Sequence, residues 1–316
     1  MKIVQLEPIG LKQSRLERVK ADFKEQGHDY IYHTDRAQTT EEIIARAHDA
    51  EVLVISNMLL TKEILLASPK LKMISVAFAG VDHVDMETCN ARNIIVSNGG
   101  EYSRHAVAEL TLGMAIQLLR KFDWHQQQVR NGKTREGFLG TELHGKTYGI
   151  IGTGSIGGRV AELAHAFGCK ITAYNRSKID AAYIHYKSLD EVLKTSDIVS
   201  IHLPLTEETR HLIGPRELSL MKPEAILINT ARGPLCDYQA LAQQLKDKKL
   251  GGAAIDVYET EPPLPADHPL FSTPNTFLLP HIGYATNQAI EKRGEIVMEN
   301  IHSWLKGKPQ NLMNTF

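Results

Sequence analysis

The sequence predicts an α/β protein built from two parallel-sheet domains. The chain has 316 residues, more than one hydrophobic core usually organises, so two domains are expected. Short β-rich apolar runs alternate with amphipathic stretches in the first hundred residues, and a second alternation begins at Lys146. Runs that are apolar throughout belong to parallel strands covered on both faces. A glycine loop, GTGSIG (152–157), stands between a strand and a helix at the head of the second series.

In the first series KIVQL (2–6), DYIYH (29–33), EVLVIS (51–56), LKMISVA (71–77) and NIIVSN (93–98) are predicted strands, with helices over 13–26, 40–48 and 61–67. HAVAELTLGMAIQLLRK (105–121) places Val107, Leu110, Met114 and Leu118 on one helical face, and is apolar enough to be buried between two bodies. The second series contributes six strands: YGIIG (148–152), KITAY (170–174), DIVSIHL (197–203), AILINT (225–230), GGAAIDV (251–257) and TFLLP (276–280). EPPLPADHP (261–269) is an ordered surface loop between the last two. Residues 286–305 form a long amphipathic helix carrying Ile290, Ile296, Val297, Ile301 and Trp304.

Composition narrows the function classes. With a formal net charge of −1, 42% hydrophobic and 23% charged residues, nothing draws the chain to nucleic acid or to an anionic membrane surface. MKIVQLEPIG meets Glu7 and Pro8 too early for a signal h-region, and no apolar run approaches membrane-spanning length. Cys89, Cys169 and Cys236 are widely spaced, so neither a disulfide framework nor a CxxC pair for metal or redox chemistry is expected. A reducing cytoplasm fits, with the thiols buried and inert.

Gly152, Gly154 and Gly157 divide the work of a dinucleotide loop, with Thr153, Ser155 and Ile156 between them. The first permits the tight turn, the second lets the backbone approach a pyrophosphate, and the third lets the helix pack on the strand. The next strand should end on a carboxylate for the adenosine ribose hydroxyls. It ends on Asn175, Arg176 and Ser177 instead. An acid there would repel a 2′-phosphate, whereas a guanidinium and a hydroxyl can bind one, so NADP(H) is favoured. Asn175 can still accept a ribose hydroxyl, which leaves NAD(H) open.

Three further groups stand just beyond strands of the same sheet: Arg232 in NTARGPLCD, Glu261 in DVYETEPP and His281 in LLPHIGYAT. Open α/β sheets place ligands at such strand ends. Each residue alone has a plain structural explanation; together they suit hydride transfer between a nicotinamide and a 2-hydroxy or 2-keto acid. A planar guanidinium can grip carboxylate and keto oxygen. A histidine can exchange the alcohol proton near neutral pH, and a carboxylate beside it fixes its tautomer.

These stretches, with FAGVDHVD (78–85), HAVAEL (105–110), HLPLTEETRHLI (202–213) and GGAAIDVYETEPP (251–263), resemble the D-isomer-specific 2-hydroxyacid dehydrogenase family nearly end to end. The resemblance implies that Arg232, Glu261 and His281 are the catalytic residues, and that the backbone N–H groups of Ala79 and Gly80 hold the substrate carboxylate. It implies cofactor contacts from 152–157, from 174–177, and from Leu203, Pro204, Thr209, Thr230, Ala231, Arg232, Asp256, His281 and Gly283, with Asp256 reaching the nicotinamide amide. It further implies a flavodoxin-like substrate domain (1–98 with 286–316), a Rossmann domain (99–285), a cleft between them that closes on substrate, and a homodimer anchored by the helix at 101–121.

Departures from relatives narrow the substrate. Phosphoglycerate dehydrogenases carry phosphate-binding arginines where VLVISNML (52–59) has Ile55, Asn57 and Met58, so a phosphorylated substrate is disfavoured. Formate dehydrogenases of the superfamily place Gln where Glu261 stands. A small 2-keto acid is the expected substrate, with Met58, Leu59 and Tyr102 as candidate pocket residues. The alternative is a cofactor-sensing corepressor-like interaction protein of the same fold.

Overall fold

The computed structural model describes residues 1–314. The chain opens with β1 (Lys2–Gln5), α1 (Gln13–Glu25), β2 (Asp29–Tyr32), α2 (Thr40–Ala47), β3 (Val52–Ile55), α3 (Lys62–Leu66), β4 (Met73–Val76), α4 (Met86–Ala91) and β5 (Ile95–Ser97). It continues through α5 (Arg104–Arg120), α6 (Phe122–Arg130), β6 (Thr147–Ile151), α7 (Ser155–Ala166), β7 (Lys170–Tyr174), β8 (Ile184–Tyr186) and α8 (Leu189–Thr195). Last come β9 (Ile198–Ile201), α9 (Pro215–Leu220), β10 (Ile226–Asn229), α10 (Tyr238–Lys246), β11 (Gly252–Ile255), β12 (Thr276–Leu278) and α11 (Asn287–Leu305).

Two compact units result: Met1–Ser103 with Ala285–Phe316, and Arg104–Tyr284. The first holds a five-stranded parallel sheet in the order β2-β1-β3-β4-β5. Every residue of β3 and β4 is buried, as expected for strands covered on both faces. The chain returns to this unit through α11, whose Val297 and Ile301 join Ile3, Phe23, Val54 and Met73 in one core. Thr286 caps α11 by accepting the Ala289 N–H.

The second unit holds seven parallel strands in the order β12-β11-β10-β9-β6-β7-β8. From β6 the chain runs outward through β7 and β8, then returns to β9 on the other side of β6. The loops after β6 and β9 therefore flank the point where strand order reverses, the usual ligand position in such sheets. Helix α5 packs against α7 and against β10, β11 and β12. Its buried set, including Val107, Ala108, Leu112, Met114 and Leu118, exceeds a single stripe because it is covered on more than one side.

The sequence reading counts six strands here, and the structure adds β8. Only Ile184 of its three residues is buried, so this edge strand leaves no apolar run to detect. All three cysteines are free and buried, and burial pushes the Cys169 thiol up to about 11. Among the described residues, no helix is long and apolar enough to cross a membrane.

Candidate active site

The three loop glycines meet three different constraints. Gly152 has φ +97°, and a Cβ there would lie 2.7 Å from the carbonyl oxygen of His202. A Cβ on Gly157 would lie 1.9 Å from the carbonyl oxygen of Gly152, so only glycine lets α7 approach the turn. A Cβ on Gly154 would meet nothing within 4 Å. The middle glycine thus faces open space where a phosphate could sit. Gly154 N-caps α7 without a side-chain bond, and Ser155 Oγ is buried with no hydrogen-bond partner among the described residues. Donors without protein partners at the start of a helix are what a pyrophosphate needs, so these residues fit a dinucleotide.

After β7, the Asn175 side-chain amide donates to the Ser177 carbonyl at 2.6 Å and closes a short turn that leaves Arg176 and Ser177 exposed. The Glu208 carboxyl is held below its usual range by the Thr206 hydroxyl first, by its own backbone next, and to a smaller extent by Arg176. After β9, the Thr209 hydroxyl donates to the Pro204 carbonyl at 2.8 Å and also receives the Thr206 N–H at 2.8 Å, which knots the loop that begins with Leu203. The partly buried His202 ring bonds the Ser200 hydroxyl at 2.8 Å, and its surroundings push it down to about 3.

Arg232, Glu261 and His281 follow β10, β11 and β12, three consecutive neighbours in the sheet. The turn carrying Arg232 is braced by Asn229. Its side chain receives the Ala231 N–H at 3.0 Å, donates to the Arg232 carbonyl at 2.9 Å and donates to the Tyr238 hydroxyl at 3.0 Å. The Arg232 guanidinium donates to the Ala231 carbonyl at 2.7 Å. Gly233 is required because a Cβ there would lie 2.0 Å from the Tyr258 backbone. Thr230 joins α5 through a 3.0 Å hydroxyl contact with Thr111.

Glu261 and His281 come into direct contact: Nδ1 of His281 lies 2.7 Å from Oε1 of Glu261. The ring stands perpendicular to Tyr284, with centroids 5.5 Å apart. His281 itself has φ +57°, an unusual backbone for a non-glycine residue. Asp256 holds it there. Its two carboxylate oxygens receive the N–H groups of Ile282 and Gly283, both at 2.8 Å, immediately after the histidine. Burial raises the Asp256 carboxyl, and these two N–H donors oppose that rise. Tyr258 adds a second brace, its hydroxyl donating to the Leu279 carbonyl at 2.9 Å.

The remaining expected substrate contacts belong to the first unit. Asn98 donates to the Ala79 carbonyl at 2.7 Å, and in a trans peptide that turns the Gly80 N–H the opposite way. Met58 and Tyr102 are 1% and 4% exposed, and Leu59 is 59% exposed. Sequence reasoning missed Asn229, Tyr238 and Tyr258, because hydrogen bonding across neighbouring strand ends has no local pattern.

Comparison with known proteins identifies the family. The family model for the D-isomer specific 2-hydroxyacid dehydrogenase NAD binding domain matches residues 112–283. The chain is 40% identical over 285 residues to the glyoxylate reductase of Thermococcus litoralis, covering 85% of this chain and 84% of that one. It is 38% identical over 284 residues to the D-3-phosphoglycerate dehydrogenase of Methanocaldococcus jannaschii, covering 87% of this chain and about half, 54%, of that longer protein. Among solved structures, an acyclic imino acid reductase in complex with NADPH and D-Arg superposes with a TM-score of 0.91 at 33% identity, over 99% of this chain and 100% of that one.

Proposed function

Because the chain belongs to the D-isomer specific 2-hydroxyacid dehydrogenase family, we propose that it reduces a small, unphosphorylated 2-keto acid to the D-2-hydroxy acid, with His281 as the proton donor. The observation that carries this reading is the 2.7 Å pairing of His281 with Glu261, on a loop neighbouring the Arg232 turn at the ligand-binding edge of a dinucleotide sheet. A bound nicotinamide supplies the hydride. Arg232 grips the substrate carboxylate and polarises the keto oxygen, and the Ala79 and Gly80 N–H groups hold the carboxylate. Glu261 accepts a hydrogen bond from Nδ1–H, which keeps that proton on the ring and orients it so that Nε2 delivers its own proton to the developing alkoxide. Asp256 keeps the loop under His281 in place while this happens.

NADP(H) remains the favoured cofactor, because Asn175 stands directly after β7 where the ribose-binding acid is expected, and Arg176 and Ser177 are exposed beside it. The first unit as substrate domain, a homodimer and a cytoplasmic setting complete the proposal. Oxidation of NADPH and of NADH over a panel of glyoxylate, hydroxypyruvate, pyruvate and branched or aromatic keto acids tests it. The likeness to an imino acid reductase brings in 2-imino acids as a second substrate class, tested by the same panel with an amine added. His281→Ala should lower turnover by about 10²–10⁴ with cofactor affinity unchanged. The reverse pattern refutes the proton-donor role, and a preference for NADH refutes the 2′-phosphate reading. Cofactor binding with no turnover on any substrate would favour the interaction-protein alternative.

A further inference from the structure

Tyr186 ends the short edge strand β8, in register with Ala173 of β7 and so beside the start of the Asn175 turn. Its hydroxyl oxygen receives the N–H of Ile179 at 3.0 Å and lies 2.9 Å from Oγ1 of Thr153. A tyrosine oxygen that accepts an N–H can still exchange a second hydrogen bond with a hydroxyl, here that of the threonine, with either oxygen as donor. Thr153 is the second residue of the glycine loop and is 1% exposed; Ile179 belongs to the segment 175–180, exposed from Arg176 onward, that carries Arg176 and Ser177. One half-buried hydroxyl therefore joins the two loops expected to hold the pyrophosphate and the adenosine ribose.

Two further contacts converge there. Ile179 rests against the first turn of α7, since a Cβ on Gly158 would lie 3.3 Å from its Cδ1. The Lys178 ammonium sits 5.7 Å from the centroid of the Tyr186 ring. We propose that Tyr186 is a positioning residue that presets segment 175–180 against the glycine loop and so sets the affinity for the adenosine half of the dinucleotide. This rests on the cofactor reading given above. Without the tie, an exposed segment must be ordered at each binding event, and that entropy is lost from affinity.

The variant is Tyr186→Phe, which keeps the ring and the lysine contact and removes the hydroxyl. The probes are 2′-phospho-ADP-ribose and ADP-ribose, which carry the adenosine end without the nicotinamide, titrated calorimetrically into the full chain. Loss of one hydrogen-bonded bridge predicts about 3- to 10-fold weaker binding of 2′-phospho-ADP-ribose. At saturating NADPH, kcat and the keto-acid KM should stay within about twofold, because the hydroxyl touches neither reacting group. Thr153→Val removes the other partner and should weaken the same probe, and the double variant should bind no worse than the weaker single one.

A lowered Tm with both probes unaffected would make Tyr186 a merely structural residue and overturn the proposal, as would fully additive losses in the double variant. If the parent protein prefers ADP-ribose over its 2′-phospho form, the NADP(H) reading fails by itself. The positioning role then stands if Tyr186→Phe still weakens ADP-ribose, and falls if it does not.

Discussion

Asp256→Asn isolates the support beneath the proposed proton donor. Asp256 is 1% exposed, and each of its oxygens receives one backbone N–H of the loop that holds His281 at φ +57°. Asparagine matches aspartate in shape but offers one oxygen and one NH₂ group. One of the two N–H groups must then face another donor inside the protein. A hydrogen bond to a charged acceptor contributes about 1.5–3 kcal/mol. If that loss falls on the placement of His281, kcat/KM for the keto acid drops about 10- to 100-fold, at 1.4 kcal/mol per tenfold. The thermal effect is smaller, because removing the charge also relieves the burial that raises this carboxyl. The assay is kcat/KM at saturating cofactor, with Tm measured in parallel. A kcat/KM within threefold of the parent would show that the loop stands without its carboxylate. A change confined to cofactor affinity would show that Asp256 acts on the nicotinamide alone.

Two glycine substitutions should separate fold from ligand space. Gly157→Ala puts a methyl 1.9 Å from a backbone oxygen, so both Tm and cofactor affinity should fall. Gly154→Ala meets nothing within 4 Å, so Tm should hold while cofactor affinity falls; equal behaviour of the pair would contradict separate roles. Arg232→Lys keeps a charge and loses the planar fork, which predicts a loss of about 10- to 100-fold in kcat/KM, and an unchanged value would rule out the two-point grip. His202 stands at about 3 against 6.5 for the free side chain, so protons favour the unfolded chain as pH falls. Its contribution to stability is complete above pH 6.5 and is lost progressively toward 3. Between pH 7 and 5 that amounts to about 2 kcal/mol in the cofactor-free protein. His202→Gln should therefore lose less stability than the parent over that range, and parallel Tm curves would refute the assignment.

Local chemistry made much of this protein legible. The strands that read most clearly, β3, β4, β9 and β10, are buried at every residue, so their apolar runs are continuous. The glycine loop was readable because turn, phosphate approach and helix packing each restrict one nearby backbone position. β8 was not, since an edge strand of three residues with one buried side chain has no period to detect. How far Met58, Leu59 and Tyr102 are buried was not legible, because exposure depends on packing by elements distant in sequence.

The amino-acid order alone determined two alternating β/α series, a dinucleotide loop, and an arginine, a glutamate and a histidine at successive strand ends. Each of these follows from interactions among residues close in sequence. The clamp of Asp256 on the loop 26 and 27 residues later, the bracing by Asn229 and Tyr258, and the bridge from Tyr186 to Thr153 were decided only by tertiary structure. They are hydrogen bonds between chain segments that meet because the sheet sets β10, β11 and β12, and β6, β7 and β8, side by side.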